Sequence, residues 1–222
     1  MKLASLVSGG KDSLYATFLA KQDNHSIDYV IGFISENKES YMFHIPNVHL
    51  VKNIAKLMNV EYIEVHTKGR KEEELIDIEN ALKSLDIDGV VCGVVASKYQ
   101  RDRVKKICDK LKLKLVAPLW QRNNSQLLKD MLKDKFKIMI TAVAAGDAFD
   151  DKWLGKIIDN VTVKYLEKLQ KKHGISPLGE GGELETLVIN CPLYNKKLDV
   201  ATGNKHWDSD TQSGWVEIKV VE

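Results

Sequence analysis

Apolar positions along the chain fall into two alternating rhythms. Short runs rich in strand formers occupy residues 2–7, 28–35, 61–66, 89–95, 113–117 and 137–143. Between them, apolar residues recur at helical spacing. Leu14, Phe18 and Leu19, with Tyr15 adjoining, mark a helix over 13–21. Val48, Val51, Ala55 and Met58 mark one over 48–58, and Leu75, Ile78, Leu82 and Leu85 one over 70–85. Val104, Ile107, Cys108 and Leu111 form the inner stripe of the helix that Ser97 is placed to cap. A further helix is expected over 125–132. The 89–95 run has no polar interruption, as in a strand buried on both faces. Six strands alternating with five helices predict an α/β protein with a doubly wound, mostly parallel sheet of five or six strands.

The rhythm changes near residue 144. A loop with Asp147, Asp150 and Trp153 leads to a helix around 160–172, a glycine-rich turn at 179–182, and strand-like runs at 185–189, 197–202 and 214–221. These predict a smaller C-terminal α+β region of antiparallel strands. The expected division is 1–143 for nucleotide binding and 144–222 for a second substrate.

The chemistry concentrates where the first strand meets the first helix, at Ser8-Gly9-Gly10-Lys11-Asp12-Ser13. In a doubly wound fold this turn is where phosphate binds. Glycines let backbone N–H groups approach an anion, and the helix N-terminus adds its positive dipole end. Ser8 and Ser13 can donate to phosphate oxygens, and Lys11 adds a charge. Asp12 makes sense if it holds a Mg²⁺ bridging the phosphates or orients the loop. Both Lys11 and Asp12 are expected at the exposed mouth. The string arises by chance in a chain this long with a probability on the order of 10⁻⁵, so a plain capped turn is a poor account of it. It is neither a Walker A sequence nor G-x-G-x-x-G.

Composition narrows the class without naming a reaction. The chain has 222 residues, with 33 Lys+Arg against 31 Asp+Glu, a formal net charge of +2. That balance argues against a stable nucleic-acid complex. The basic stretches 105–114 and 168–173 read as solvated helix faces. Three cysteines, Cys92, Cys108 and Cys191, show no paired or metal-ligand spacing and fit reduced thiols. No apolar run is long enough for a bilayer, and the N-terminus carries no signal sequence. A cytoplasmic protein without membrane contact is the expectation.

The S-G-G-x-D-S string resembles the PP-loop of the N-type ATP pyrophosphatases. Four more strings narrow the likeness: 41–47 with His44 and Asn47, 93–103 (GVVASKYQRDR), 118–120 (PLW) and 179–188 (GEGGELETLV). Together with the PP-loop, and across essentially the whole chain, they resemble the diphthine–ammonia ligase family. The likeness implies ATP and Mg²⁺ as cofactors. It implies ammonium and diphthine-bearing elongation factor 2 as partners, with a homodimer compatible with the reading. In the superfamily the loop holds the β- and γ-phosphates and leaves the α-phosphate open to attack.

Roles can then be set beside residues. With strands ordered 3-2-1-4-5, the PP-loop and the 93–103 segment leave adjacent strands where the chain diverges. Gly93 would let the backbone approach nucleotide. Ser97, Gln100, Arg101 and Arg103 are candidate donors to the α-phosphate. Phe33, Ile34 and Ser35 end the second strand, where the superfamily's adenine rests on backbone groups. His44 could contact nucleotide or only shape its loop. Glu180, Gly181, Gly182, Glu183, Glu185 and Thr186 are candidates for the second substrate: carboxylates and aromatic faces suit a quaternary trimethylammonium group, and a carboxylate could accept a proton from ammonium. Tyr99, Trp120 and Trp153 are the aromatic candidates. Two rival readings are a tRNA-modifying thiolase, which usually needs a cysteine pair, and a nucleotide sensor without chemistry.

Overall fold

The computed structural model describes residues 1–35, 48–68 and 73–221. The expected loop at 41–47, with His44 and Asn47, and the first three residues of the helix expected at 70–85 lie outside them. The chain divides into two compact units, Met1–Trp120 and Gln121–Glu222.

In the first unit, strands β1 (Lys2–Leu6), β2 (Ser26–Ser35), β3 (Glu61–Thr67), β4 (Gly89–Val91) and β5 (Lys114–Val116) form a sheet ordered β3-β2-β1-β4-β5. Every pairing is parallel. The helices are α1 (Lys11–Gln22), α2 (Val51–Met58), α3 (Glu73–Lys83) and α4 (Lys98–Leu111). Ala4, Ile31, Phe33 and Val90 point to one face of the sheet, where Ile78 and Leu82 of α3 and Val104, Ile107 and Cys108 of α4 cover them. Ser5 points the other way, to Thr17 of α1. Gly32 likewise faces Val51 of α2. Helices therefore cover both faces, and the strand order reverses between β1 and β4.

Two elements differ from the periodicity for visible reasons. The helix expected from Val48 begins as a single 3₁₀ turn, Val48–Leu50, before α2, and Asn59 ends it in the left-handed region at φ 55°. The 89–95 run is strand only as far as Val91, with one further ladder bond from Cys92 N–H to the Val116 carbonyl at 3.0 Å. Beyond it the chain crosses the first turn of α1.

The second unit contains α5 (Asn124–Lys133), β6 (Lys137–Ala144), α6 (Asn160–His173), β7 (Leu184–Asn190), β8 (Val200–Asp208) and β9 (Ser213–Val220). Its sheet is ordered β7-β6-β9-β8 and is antiparallel throughout. The run at 137–143 is thus a central strand of this sheet, not a sixth strand of the parallel one. Its apolar sequence specifies burial but not a partner, and both partners, β7 and β9, come later in the chain. A Lys129–Glu167 ion pair at 2.7 Å links α5 to α6. No helix among the described residues is long and apolar enough to cross a membrane.

Candidate functional site

β1 delivers the chain to Ser8, and α1 starts at Lys11. Gly9 takes φ 86°, a left-handed value that a side chain would strain. The turn is laced internally. Ser13 Oγ donates to the Gly10 carbonyl at 3.1 Å and lies 3.2 Å from Ser8 Oγ, and Ser8 N–H reaches Ser13 Oγ at 3.2 Å. Beneath it runs a buried polar chain that the sequence reading missed. Ser5 Oγ and Thr17 Oγ1 are 2.6 Å apart, and Thr17 donates to the Ser13 carbonyl at 2.7 Å. Its only sequence signals are a serine inside an apolar strand and a threonine four residues after Ser13. The chain ties β1 to α1 and fixes where Ser13 stands.

Lys11 is 2% exposed, not at an open mouth, and its Nζ lies 2.8 Å from Asp12 Oδ2. The other carboxylate oxygen, Asp12 Oδ1, is buried without a hydrogen-bond partner among the described residues. An orphaned anionic oxygen in low dielectric is costly unless something cationic meets it. A Mg²⁺ ion would suit that oxygen, a hard anionic ligand.

Gly93 sits against the same turn. A Cβ there would meet Ser13 N at 2.6 Å and the Asp12 carbonyl carbon at 2.7 Å. Its bareness permits the close approach of the post-β4 segment to the first turn of α1. Ser97 caps α4, accepting from Gln100 N–H at 3.3 Å. Arg101 lies over the Trp120 ring at 4.7 Å, and Arg103 over the Tyr99 ring at 3.5 Å. Arg101 Nε is buried with no hydrogen-bond partner among the described residues. Arg101, Lys105, Lys114 and Trp120 border a groove of about 480 Å³ between α4 and β5. Ion pairs from Lys105 to Asp109 and from Lys110 to Glu79 confirm a solvated, charge-balanced outer face on α4.

Phe33 is 3% exposed in the core, so its ring cannot meet a base. Ile34 and Ser35 pair with His66 and Thr67 of β3, whereas the ladder to β1 stops at Ile31. What this strand end offers a ligand is backbone.

In the second unit the glycine-rich string forms a tight turn into β7. Gly179 has φ 75°, and a Cβ there would meet the Leu184 carbonyl at 2.5 Å; Gly182 has φ 85°. Glu183 closes the turn. Its Oε2 accepts from Gly181 N–H at 2.7 Å and its Oε1 from Ser176 N–H at 3.0 Å. Glu180 and Glu185 are half-buried, and Thr186 is buried at 5% exposure. Trp153 is packing: it is 7% exposed, edge-on to Phe149 and tilted against Tyr165. Asp150 caps its one-turn 3₁₀ helix, and Asp147 lies in the preceding one. The cysteines are free thiols. Burial pushes Cys92 up and raises Cys108 and Cys191 to about 12.

A phosphate-type turn at the point where a parallel α/β sheet reverses its order defines the class, a doubly wound nucleotide-binding protein, and the family match that follows makes it one of the PP-loop, N-type ATP pyrophosphatase kind. Two family models divide the chain between them: the diphthamide synthase N-terminal domain matches residues 1–115 and the C-terminal domain residues 123–222. The chain belongs to that family. Relatives named diphthine–ammonia ligase share 34% identity in Homo sapiens and 35% in Mus musculus, each alignment covering 90% of this chain and 83% of the relative. One from Saccharomyces cerevisiae shares 31% over 87% of this chain and 33% of its own length.

Proposed function

We propose that this chain is an ATP-dependent ligase that converts the diphthine carboxylate of elongation factor 2 to its amide with ammonium, the last step of diphthamide synthesis. The observation that carries the reading is the buried, orphaned Asp12 oxygen beside Lys11 in a PP-loop, within a chain of this family. The factor works on ribosomes, so the reaction belongs in the cytoplasm.

The substrate carboxylate attacks the α-phosphorus of ATP, forming an acyl-adenylate and releasing pyrophosphate. Ammonia then attacks the acyl carbon, AMP leaves, and the nitrogen sheds its extra proton. The loop amides and the α1 N-terminus bind the β- and γ-phosphates, with Ser8 and Ser13 fixed by their mutual bonds. Mg²⁺, held by Asp12, would neutralise phosphate charge. Lys11 sets the Asp12 carboxylate through their ion pair. Arg101, whose Nε is left over as a donor, is the candidate for charge developing at the α-phosphate. Raised thiol pKa values leave no ready thiolate, which counts against sulfur transfer.

The test is to incubate the protein with ATP, ammonium and diphthine-bearing factor, then weigh the factor and identify the nucleotide. Amide with AMP and pyrophosphate is expected. ADP and phosphate would mean an acyl-phosphate route, and no turnover would leave a nucleotide sensor.

A further inference from the structure

One lateral row of paired residues crosses the second sheet: Glu185 on β7, Ala142 on β6, Trp215 on β9 and His206 on β8. Directly paired residues project from the same face of a sheet. Carboxylate, methyl, indole and imidazole therefore share one face. Leu184 and Thr186, which flank Glu185 in β7, point to the other side and are 3% and 5% exposed. In the row itself Glu185 and Ala142 are half-buried, His206 is exposed and Trp215 is 40% exposed.

His206 stacks on Trp215 with ring centroids 4.0 Å apart and planes 14° from parallel. The imidazole is pinned by Glu217, whose Oε1 lies 3.0 Å from Nε2. One indole face is covered from the β8 side. The other looks over Ala142 towards Glu185. Two strand spacings separate β7 from β9, about 10 Å, and the alanine methyl leaves the space between them low. β6 is bulged between Ile140 and Ala142, a device that re-aims side chains beside sites. Along the row an aromatic face, a small apolar residue and a carboxylate-bearing residue thus follow one another.

We propose that the Glu185–Ala142–Trp215 row is the subsite for the quaternary ammonium group of the second substrate. The inference rests on the diphthine reading above. A trimethylammonium group has no N–H to donate, so hydrogen-bond acceptors alone recognise it poorly; an indole face and a nearby negative charge suit it. The 179–186 turn then has a division of labour. Glu183 secures the turn through two backbone N–H groups, and Glu185, two residues on, stands in the row beside Ala142.

The probe is the betaine of α-aminobutyrate, its amino group trimethylated, against the carbon isostere bearing a tert-butyl group instead. Indole N–H signals of the full chain are followed by NMR, with Trp215→Phe identifying the Trp215 signal. The betaine should shift that signal and the isostere should not. Trp215→Leu and Glu185→Gln should each weaken betaine binding roughly tenfold, and Trp215→Phe less. Ala142→Leu, which fills the gap, should abolish it. In amidation assays the same variants should raise KM for the factor and leave KM for ATP unchanged. Equal binding of the isostere, a silent Trp215 signal, or a factor KM unmoved by both Ala142→Leu and Trp215→Leu would overturn the subsite while leaving the ligase reading intact. Betaine binding at Trp215 by a chain that never amidates the factor would overturn the ligase reading and keep the subsite.

Discussion

The two glycine-rich turns use the same residue types to opposite ends. At Ser8–Ser13, Asp12 commits one oxygen to Lys11 and keeps the other buried and unsatisfied. At 179–186, Glu183 commits both oxygens to backbone N–H groups of its own turn. A carboxylate oxygen that is buried and has no hydrogen-bond partner among the described residues is held ready for a ligand. One whose oxygens already serve as backbone acceptors is a brace. Charge and glycine content alone do not separate the two; hydrogen-bond accounting does.

The comparison breaks most visibly at Asp12. Asp12→Asn keeps the volume and an acceptor for Lys11 but removes the charge. Amidation should fall on the order of 10²-fold or more, and the thermal midpoint should drop as well, because the buried Lys11 ammonium loses its counter-charge. Full turnover by a folded Asp12→Asn chain would end the case for a ligand-ready carboxylate.

Gly93→Ala comes next. Its methyl would stand 2.6 Å from Ser13 N, so the PP-loop must shift. ATP affinity should drop by about tenfold to a hundredfold, measured by calorimetry on the folded variant. Unchanged affinity would show that α1's first turn yields without consequence.

Glu183→Gln tests the brace. The amide NH₂ cannot accept, so either Ser176 N–H or Gly181 N–H loses its partner. Stability should fall by about 1–2 kcal/mol, a thermal midpoint lower by roughly 3 °C or more. Amidation should decline several-fold with ATP binding intact. Neither higher pH nor more ammonium should restore it. Rescue by either would return Glu183 to a proton-accepting role.

Much of the first unit was legible because local rules decide it. Strands alternating with helices admit few topologies, and the order 3-2-1-4-5 is one of the common doubly wound ones. Ser97 declared itself as a cap by position alone. What stayed hidden depends on residues distant in sequence. The strand at 137–144 carries no mark of pairing with 184–190 and 213–215. Glu183 looked catalytic because nothing local shows that Ser176 N–H reaches it. Trp215 drew no attention because its partners Ala142, Glu185 and His206 come from three other strands. The contact of Gly93 with Asp12 and Ser13 of α1 likewise joins residues eighty positions apart.

The smallest effect is expected at the thiols, and it bears on whether either turn is needed for sulfur chemistry at all. Cys191 is 4% exposed, and burial raises its thiol from 9.0 to about 12. At pH 7 its thiolate fraction is on the order of 10⁻⁵, too little for a nucleophile or a sulfur carrier. Cys92 is shifted the same way by burial. The favoured neutral form also sets a pH window. Cys191's contribution to stability is full below about pH 9 and is lost as pH climbs towards 12, since the unfolded chain gives up the proton first. A Cys92→Ala, Cys191→Ala chain should therefore amidate within about twofold of wild type, losing only the small packing contribution of two sulfur atoms. Iodoacetamide at neutral pH should leave the folded wild-type chain active. Abrupt inactivation by iodoacetamide, or loss of all turnover in a folded double variant, would place a reactive thiol in the reaction. The roles argued here for Asp12 and Glu185 would then belong to a sulfur-transfer enzyme, in which neither an ammonium nor a trimethylammonium group has to be met.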